Sequence, residues 1–185
     1  MRAEGLSAEG VSDDIASADF IAELAANVAA SDGAADVLVN NAGISCIAPA
    51  ETTSLEQWQA VMAVNLQSPF LLSQAFGRQM LARDSGNIVN VALIAGLGGV
   101  IHRAVYNASK HGLIGLTRTL AAKWGGRGVR VNAVCPDWIK TEMDIADRGS
   151  GAYSVRRGDQ DENAPSNRMR IARGFGGAGR SPEPT

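Results

Sequence analysis

The sequence predicts an α/β domain built on a parallel sheet, on three observations. Short strand-like apolar runs recur at Val37-Leu38-Val39, Asn87–Ala92 and Val129–Val134, as strands buried on both faces of a parallel sheet do. Segments of helical period separate these runs. Turn residues mark the junctions at Asp32-Gly33, Asp84-Ser85-Gly86 and Gly125–Gly128. Alternation at these lengths calls for right-handed crossovers.

Taken in order, residues 1–12 show no usable period. From Asp14 to Ser31, Ile21, Leu24, Ala25 and Val28 follow i, i+3, i+4, i+7 and predict an amphipathic helix. Val37–Val39 is the first strand, read as buried on both faces. Ser54-Leu55-Glu56-Gln57 is a capping box. It opens a helix through Trp58, Val61, Met62 and Asn65. Pro69 marks a kink or a second start, and Phe70 to about Ala82 continues the helix. The second strand is Asn87–Ala92. A Gly-rich loop at 96–99 leads to the helix Val105–Trp124, with Ala108, Leu113, Leu116 and Leu120 in its apolar stripe. Val129–Val134 is the third strand, ended by Cys135-Pro136. Residues 1–148 form the domain. Residues 149–185 are a polar Arg/Gly/Pro-rich tail, read as disordered, with no strand or helix period from Ser154 to Thr185. Arg173-Gly174-Phe175-Gly176-Gly177 is read as solvated linker rather than an RNA-binding segment.

The 185 residues are 45% hydrophobic and 19% charged, with a net charge of -2. That is a globular composition with no pull towards nucleic acid or an anionic membrane. Two cysteines, Cys46 and Cys135, make no disulfide framework. The N-terminus has no apolar signal region. The longest apolar stretch, Val89–Ile101, is interrupted by glycine and too short for a bilayer. A cytoplasmic protein without a metal centre is expected.

Two segments carry chemistry. Tyr106 and Lys110 stand at i and i+4, one turn apart on one helix face. A nearby ammonium favours the phenolate and lowers the tyrosine pKa, which makes a general acid/base for an alcohol oxygen. The rival reading is a half-buried tyrosine beside a surface lysine. Asn40-Asn41-Ala42-Gly43 follows a strand directly, and ligands in open parallel sheets sit at the carboxyl ends of strands. A plain turn is the alternative there.

In chain order, Val37–Gly43, Asn65, Ile88-Val89-Asn90-Val91, Tyr106–Lys110 and Val131–Pro136 resemble the short-chain dehydrogenase/reductase family, of the kind that includes 3-oxoacyl carrier-protein reductases. The resemblance runs from roughly Ser12 to Met143. It implies a Rossmann-type doubly wound parallel sheet. It also implies NAD or NADP as cofactor and hydride transfer to or from a small-molecule carbonyl or secondary alcohol. Tyr106 matches the acid/base, and Lys110 the lysine that holds the cofactor ribose. Asn65 matches the asparagine that shapes its helix and holds a proton-relay water. Asn41, Ala42 and Gly43 match the segment beside the adenosine part. Pro136, Ile139 and Thr141 match the segment contacting nicotinamide and phosphates, with a loop-only role as rival. The resemblance further implies a homo-oligomer paired through helices 54–82 and 105–124.

The departures from the pattern are specific. The family's serine, thirteen residues before the tyrosine, is Leu93, preceded by Ala92. His102 is the substitute donor on offer, against a surface histidine. The glycine-rich phosphate turn is missing, Gly10 stands where an aspartate often contacts adenine, and Asp137 replaces a glycine after Pro136. The sheet is therefore expected to be incomplete, with its first two strands and its last strand absent. The composition after Tyr153 reads like a frame change. Two functional readings remain: an NAD(P)-dependent oxidoreductase, and a non-catalytic remnant that binds protein partners.

Overall fold

The structure is a computed structural model that describes residues 7–31, 33–137, 141–149 and 170–173. Its elements are α1 (Ala18–Ser31), β1 (Val37–Asn40), α2 (Leu55–Met62), a π-helical turn (Ala63–Gln67), α3 (Ser68–Ala82), β2 (Gly86–Val91), α4 (Ala104–Trp124), β3 (Val129–Cys135), α5 (Glu142–Gly149) and β4 (Arg170–Arg173). The strands lie in the order β1-β2-β3-β4. The first three are parallel, with Val39 opposite Val89 and Val89 opposite Asn132. β4 runs antiparallel to β3.

Local chemistry accounts for the boundaries. Helix α1 starts four residues later than the apolar period suggests, because Ser17 caps it: its Oγ accepts from Phe20 N at 3.2 Å. Ser54 caps α2 with both halves of the capping box formed. The helix predicted through Pro69 is continuous from Leu55 to Ala82, and one extra residue is absorbed in the π turn. Pro69 sits in the first turn of α3, where a missing N–H costs little.

One face of the sheet is the core. Ile88, Val129 and Val131 pack against Ile21 of α1, Phe76 and Met80 of α3, and Leu120 of α4. A second cluster at the carboxyl ends of the strands joins Ala92, Ala133 and Cys135 to Leu113 and Ile114. Helices α1, α3 and α4 therefore share one side. Alternate residues look the other way, and burial along β2 and β3 alternates accordingly.

Two expectations are corrected here. Val37–Val39 is not buried on both faces: Val37 is 54% and Val39 56% exposed. β1 is the edge of this sheet, and its helices cover only the Leu38 side. Nor is the stretch after Ser154 free of strand. Arg170–Arg173 pairs with Cys135–Asn132, through backbone bonds that need no side-chain alternation. The rest of the tail call, 150–169 and 174–185, lies outside the described residues, as does Gly174–Gly177 of the Arg/Gly segment. Among the described residues no helix is long and apolar enough to cross a membrane.

A buried polar ladder crosses the core. Asn40 Nδ2 donates to Asn90 Oδ1 at 2.7 Å. Asn90 Nδ2 donates to Thr117 Oγ1 at 2.8 Å, and Thr117 Oγ1 donates to Leu113 O at 2.7 Å. Asn40 is thus structural, fixing the end of β1 against β2 and α4.

Candidate active site

The carboxyl ends of β1, β2 and β3 open towards the first turns of α4. The segment after β1 carries Asn41, Ala42 and Gly43. Leu93 follows β2, and Pro136 follows β3. Helix α4 brings Tyr106 and Lys110, 6% and 4% exposed, onto one face. The π turn brings Asn65, which has no exposed surface.

These residues converge. A Cβ on Gly43 would lie 3.3 Å from Asn65 Oδ1 and 3.6 Å from Lys110 Nζ, so glycine leaves a cradle there that alanine would fill. Lys110 Nζ donates to Val91 O at 2.8 Å and lies 5.6 Å from the Tyr106 ring centroid. Asn65 clamps the segment after β1. Its Oδ1 accepts from Ile44 N at 2.8 Å, and its Nδ2 donates to Ile44 O at 2.9 Å and to Ser109 Oγ at 3.2 Å. Ser109 Oγ donates in turn to Tyr106 O at 2.7 Å. The asparagine predicted from its place in the pattern is thus a brace between the π turn, Gly43-Ile44 and α4. Gly112 of α4 faces that turn, and a Cβ there would meet the end of the Leu66 side chain, Cδ2, at 2.8 Å.

The remaining predicted residues are more dispersed. Asn41 and Ala42 are exposed beyond β1. Pro136 is half-buried, and its carbonyl accepts from Ile94 N at 3.0 Å, which joins the ends of β2 and β3. Thr141 is exposed at the start of α5, where its carbonyl accepts from Ile145 N. Ile139 lies outside the described residues.

The electrostatics differ from the sequence expectation. Lys110 is not what sets the Tyr106 pKa. Burial pushes the phenol above its usual value of 10.0, the Arg103 guanidinium opposes this, and the Asp147 carboxylate adds to it. Lys110 is itself pushed down, from 10.5 to about 8, by burial, with Cys135 acting weakly the other way. That drop corresponds to roughly 3 kcal/mol against the charged amine. In the unfolded chain the amine keeps its proton up to about 10.5, whereas in the folded chain it loses it near 8. The unfolded state therefore binds more protons between those values. Lys110 makes stability rise with pH across that window, and below it the full penalty applies. Replacing Lys110 with methionine is expected to raise the unfolding free energy at pH 7 by about 1–3 kcal/mol. It should also flatten the rise between pH 8 and 10.5, as read by urea denaturation at several pH values.

Leu93 has no side-chain donor, and its backbone is unusual, with φ 78° and ψ 160°. That conformation is open to glycine and costs other residues about 1–3 kcal/mol. It is held by Gly96 N donating to Leu93 O and by the Ile94–Pro136 bond. His102, read from the sequence as a surface loop histidine with a donor role as the rival, is exposed. Its carbonyl accepts from Ala48 N at 3.0 Å. The next residue, Arg103, is the one that turns inward. It is 4% exposed, with its guanidinium carbon 5.7 Å from the Tyr106 ring centroid. Arg103 escaped the sequence analysis because a lone arginine before a helix carries no pattern, although i−3 from a reactive tyrosine is the same helix face.

A cavity of about 260 Å³ lies beside β1, between α1 and α3, lined by Ile15, Leu24, Leu38, Asn40 and Phe76 among others. Tyr106, Lys110 and Asn65 do not line it. We therefore place the site by the convergence of polar side chains rather than by this apolar space at the open sheet edge.

The short chain dehydrogenase family profile matches residues 1–150. The chain belongs to the short-chain dehydrogenase family. D-threitol dehydrogenase of Mycolicibacterium smegmatis is 43% identical over 150 residues, covering 81% of this chain and 56% of that protein. A gluconate 5-dehydrogenase from Burkholderia cenocepacia, solved in complex with NADP and tartrate, superposes with a TM-score of 0.80 at 30% identity. That match covers 91% of this chain and 65% of the other. A 4-hydroxyisoleucine dehydrogenase complexed with NADH gives a TM-score of 0.68 at 35% identity, covering 76% and 62%. The short-chain dehydrogenase chain described here thus spans little more than half the length of the curated relative. Its sheet is the matching part of an incomplete Rossmann-type fold.

Proposed function

We propose that this chain is an NAD(P)-dependent oxidoreductase acting on a carbonyl or secondary alcohol of a small polyhydroxylated molecule. The observation that carries this is the convergence of Gly43, Asn65, Lys110 and Tyr106 at the carboxyl ends of the strands. Gly43 places no side chain between the segment after β1 and Lys110 Nζ, and the residues present fit the ribose half of the cofactor. Tyr106, Lys110, Asn41, Ala42, Gly43, Pro136, Ile139 and Thr141 would hold it. When bound, the cofactor supplies or accepts hydride at its nicotinamide ring.

The chain's own part is proton handling and positioning. Burial keeps the Tyr106 phenol protonated near neutrality, which suits donation to an oxygen becoming an alcohol. The reverse direction needs the phenolate and is favoured as pH rises. Lys110, with a pKa of about 8, is largely charged at pH 7 and able to hold ribose hydroxyls. Asn65 fixes the backbone that Gly43 presents. The polyol class rests on the similarity to D-threitol dehydrogenase and gluconate 5-dehydrogenase.

We further propose a cytoplasmic homo-oligomer paired through helices 54–82 and 105–124. Its support is the exposure of Leu55, Trp58 and Phe70 on α2 and α3. Residues 1–148 carry the site, and the tail after 149 adds β4 to the sheet edge. The non-catalytic partner-binding reading is favoured by one observation, the donorless and strained Leu93.

Assay with a panel of tetritols, hexitols and sugar acids plus NAD or NADP, at pH 7 and pH 9, distinguishes the two. Cofactor reduction that is faster at pH 9 and lost in Tyr106→Phe is expected. Turnover unchanged in Tyr106→Phe, or none with any pair, would count against the oxidoreductase reading.

A further inference from the structure

Arg103, Tyr106 and Lys110 stand at i−3, i and i+4 on α4 and its N-cap, so one helix face carries two cations around one phenol. Both lie within 6 Å of the ring centroid. They are not equivalent. Lys110 Nζ is turned to Val91 O, and burial weakens its charge. An arginine cannot shed its proton in a protein, so the Arg103 charge is permanent.

That permanent charge is tied to two other segments. Arg103 Nη1 donates to Ser45 Oγ at 3.1 Å, in the stretch after β1. Its Nη2 pairs with Asp147 Oδ2 of α5 at 2.9 Å, and the two side chains are only 5% and 15% exposed. A buried ion pair is a weak source of stability, because desolvation offsets the attraction. This one is placed where its two opposite charges act on the Tyr106 phenol.

We propose that Arg103 is a positioning residue for Tyr106, and that its pairing with Asp147 tunes the proton affinity of the phenol. The Asp147 carboxylate opposes the guanidinium at the phenol and helps to hold the proton; with the carboxylate removed, the guanidinium is less opposed and favours the phenolate. Only the proton on Tyr106 is concerned, and no bond to carbon changes. Among the described residues the charges that act on the phenol are Arg103 and Asp147, with Lys110 beside the ring. Cys135, at the end of β3, acts on Lys110 instead.

The role assigned to Tyr106 rests on the proposed function, but the test reads the phenol itself and needs no turnover. The sequence holds two tyrosines, so Tyr153→Phe leaves Tyr106 alone. Fluorotyrosine incorporated in that background ionises at lower pH than tyrosine. Its fluorine resonance can be followed against pH while circular dichroism checks the fold. Asp147→Asn should move the midpoint down and Arg103→Met should move it up. At a fixed pH the ratio of phenolate to phenol should change about threefold or more in each direction. Arg103→Lys should stay near the parent. Midpoints that do not move, or that move the same way in both variants, would reduce the pair to a mechanical brace and overturn the proposal. If Arg103→Met fails to fold, Asp147→Asn decides alone: a downward move supports the coupling and an unmoved midpoint refutes it.

Discussion

Replacing Asn65 with alanine is expected to lower the unfolding free energy by about 3–4 kcal/mol, a large share of the stability of a domain this size. The side chain is fully buried and satisfies both backbone groups of Ile44 as well as the hydroxyl of Ser109. Truncation removes the partner of the part-buried Ile44 N–H and C=O, at up to about 1–3 kcal/mol each, and leaves a small cavity besides. Urea denaturation measures the loss. Asn27→Ala, an exposed change on α1, should stay within about 0.5 kcal/mol. Asn65→Ala should also release the segment from Gly43 to Ser45, so cofactor affinity should fall with stability. A variant as stable as the parent would mean that the Ile44 bonds are not what fixes this corner.

Restoring a hydroxyl at position 93 has the second large expected effect. Leu93→Ser places a donor where the family pattern has one. A single donor to a developing oxyanion is worth about 100- to 1,000-fold in rate. The position is already held by the Ile94–Pro136 and Gly96–Leu93 backbone bonds, so the serine inherits a fixed backbone. Leu93→Ala is the control, since it opens the same space without a donor. Carbonyl reduction with NADH or NADPH should rise in the serine variant and not in the alanine variant. An equal gain in both would show that bulk, not the missing hydrogen bond, was the obstacle.

The candidate site was legible in the sequence where it rides on helix spacing. Tyr106 and Lys110 fall on one face because i and i+4 always do, and the capping box at Ser54 set the start of α2. The π turn at Asn65 was anticipated only as a local break, because an extra residue per turn leaves no compositional mark. The exposure of Val37 and Val39 was misread: a run of three apolar residues looks alike in an edge strand and a central one, and only the placement of α1, α3 and α4 separates them. β4 was hidden for a related reason, its pairing being made by backbone alone. Asn90 and Thr117 were readable in principle as polar residues at core-facing positions. Arg103 and Asp147 were not, because forty-four residues separate them and only the fold joins them.

The central claim is that Gly43, Asn65, Tyr106 and Lys110 still form a nicotinamide site. Titration of the purified chain with NADH and NADPH, followed by cofactor fluorescence, tests this without knowledge of the substrate. The account predicts saturable binding at about micromolar levels, weakened at least about tenfold by Gly43→Ala, which fills the cradle beside Lys110. No binding up to about millimolar cofactor, with an intact circular-dichroism spectrum, would contradict it and leave a short-chain dehydrogenase scaffold without its chemistry.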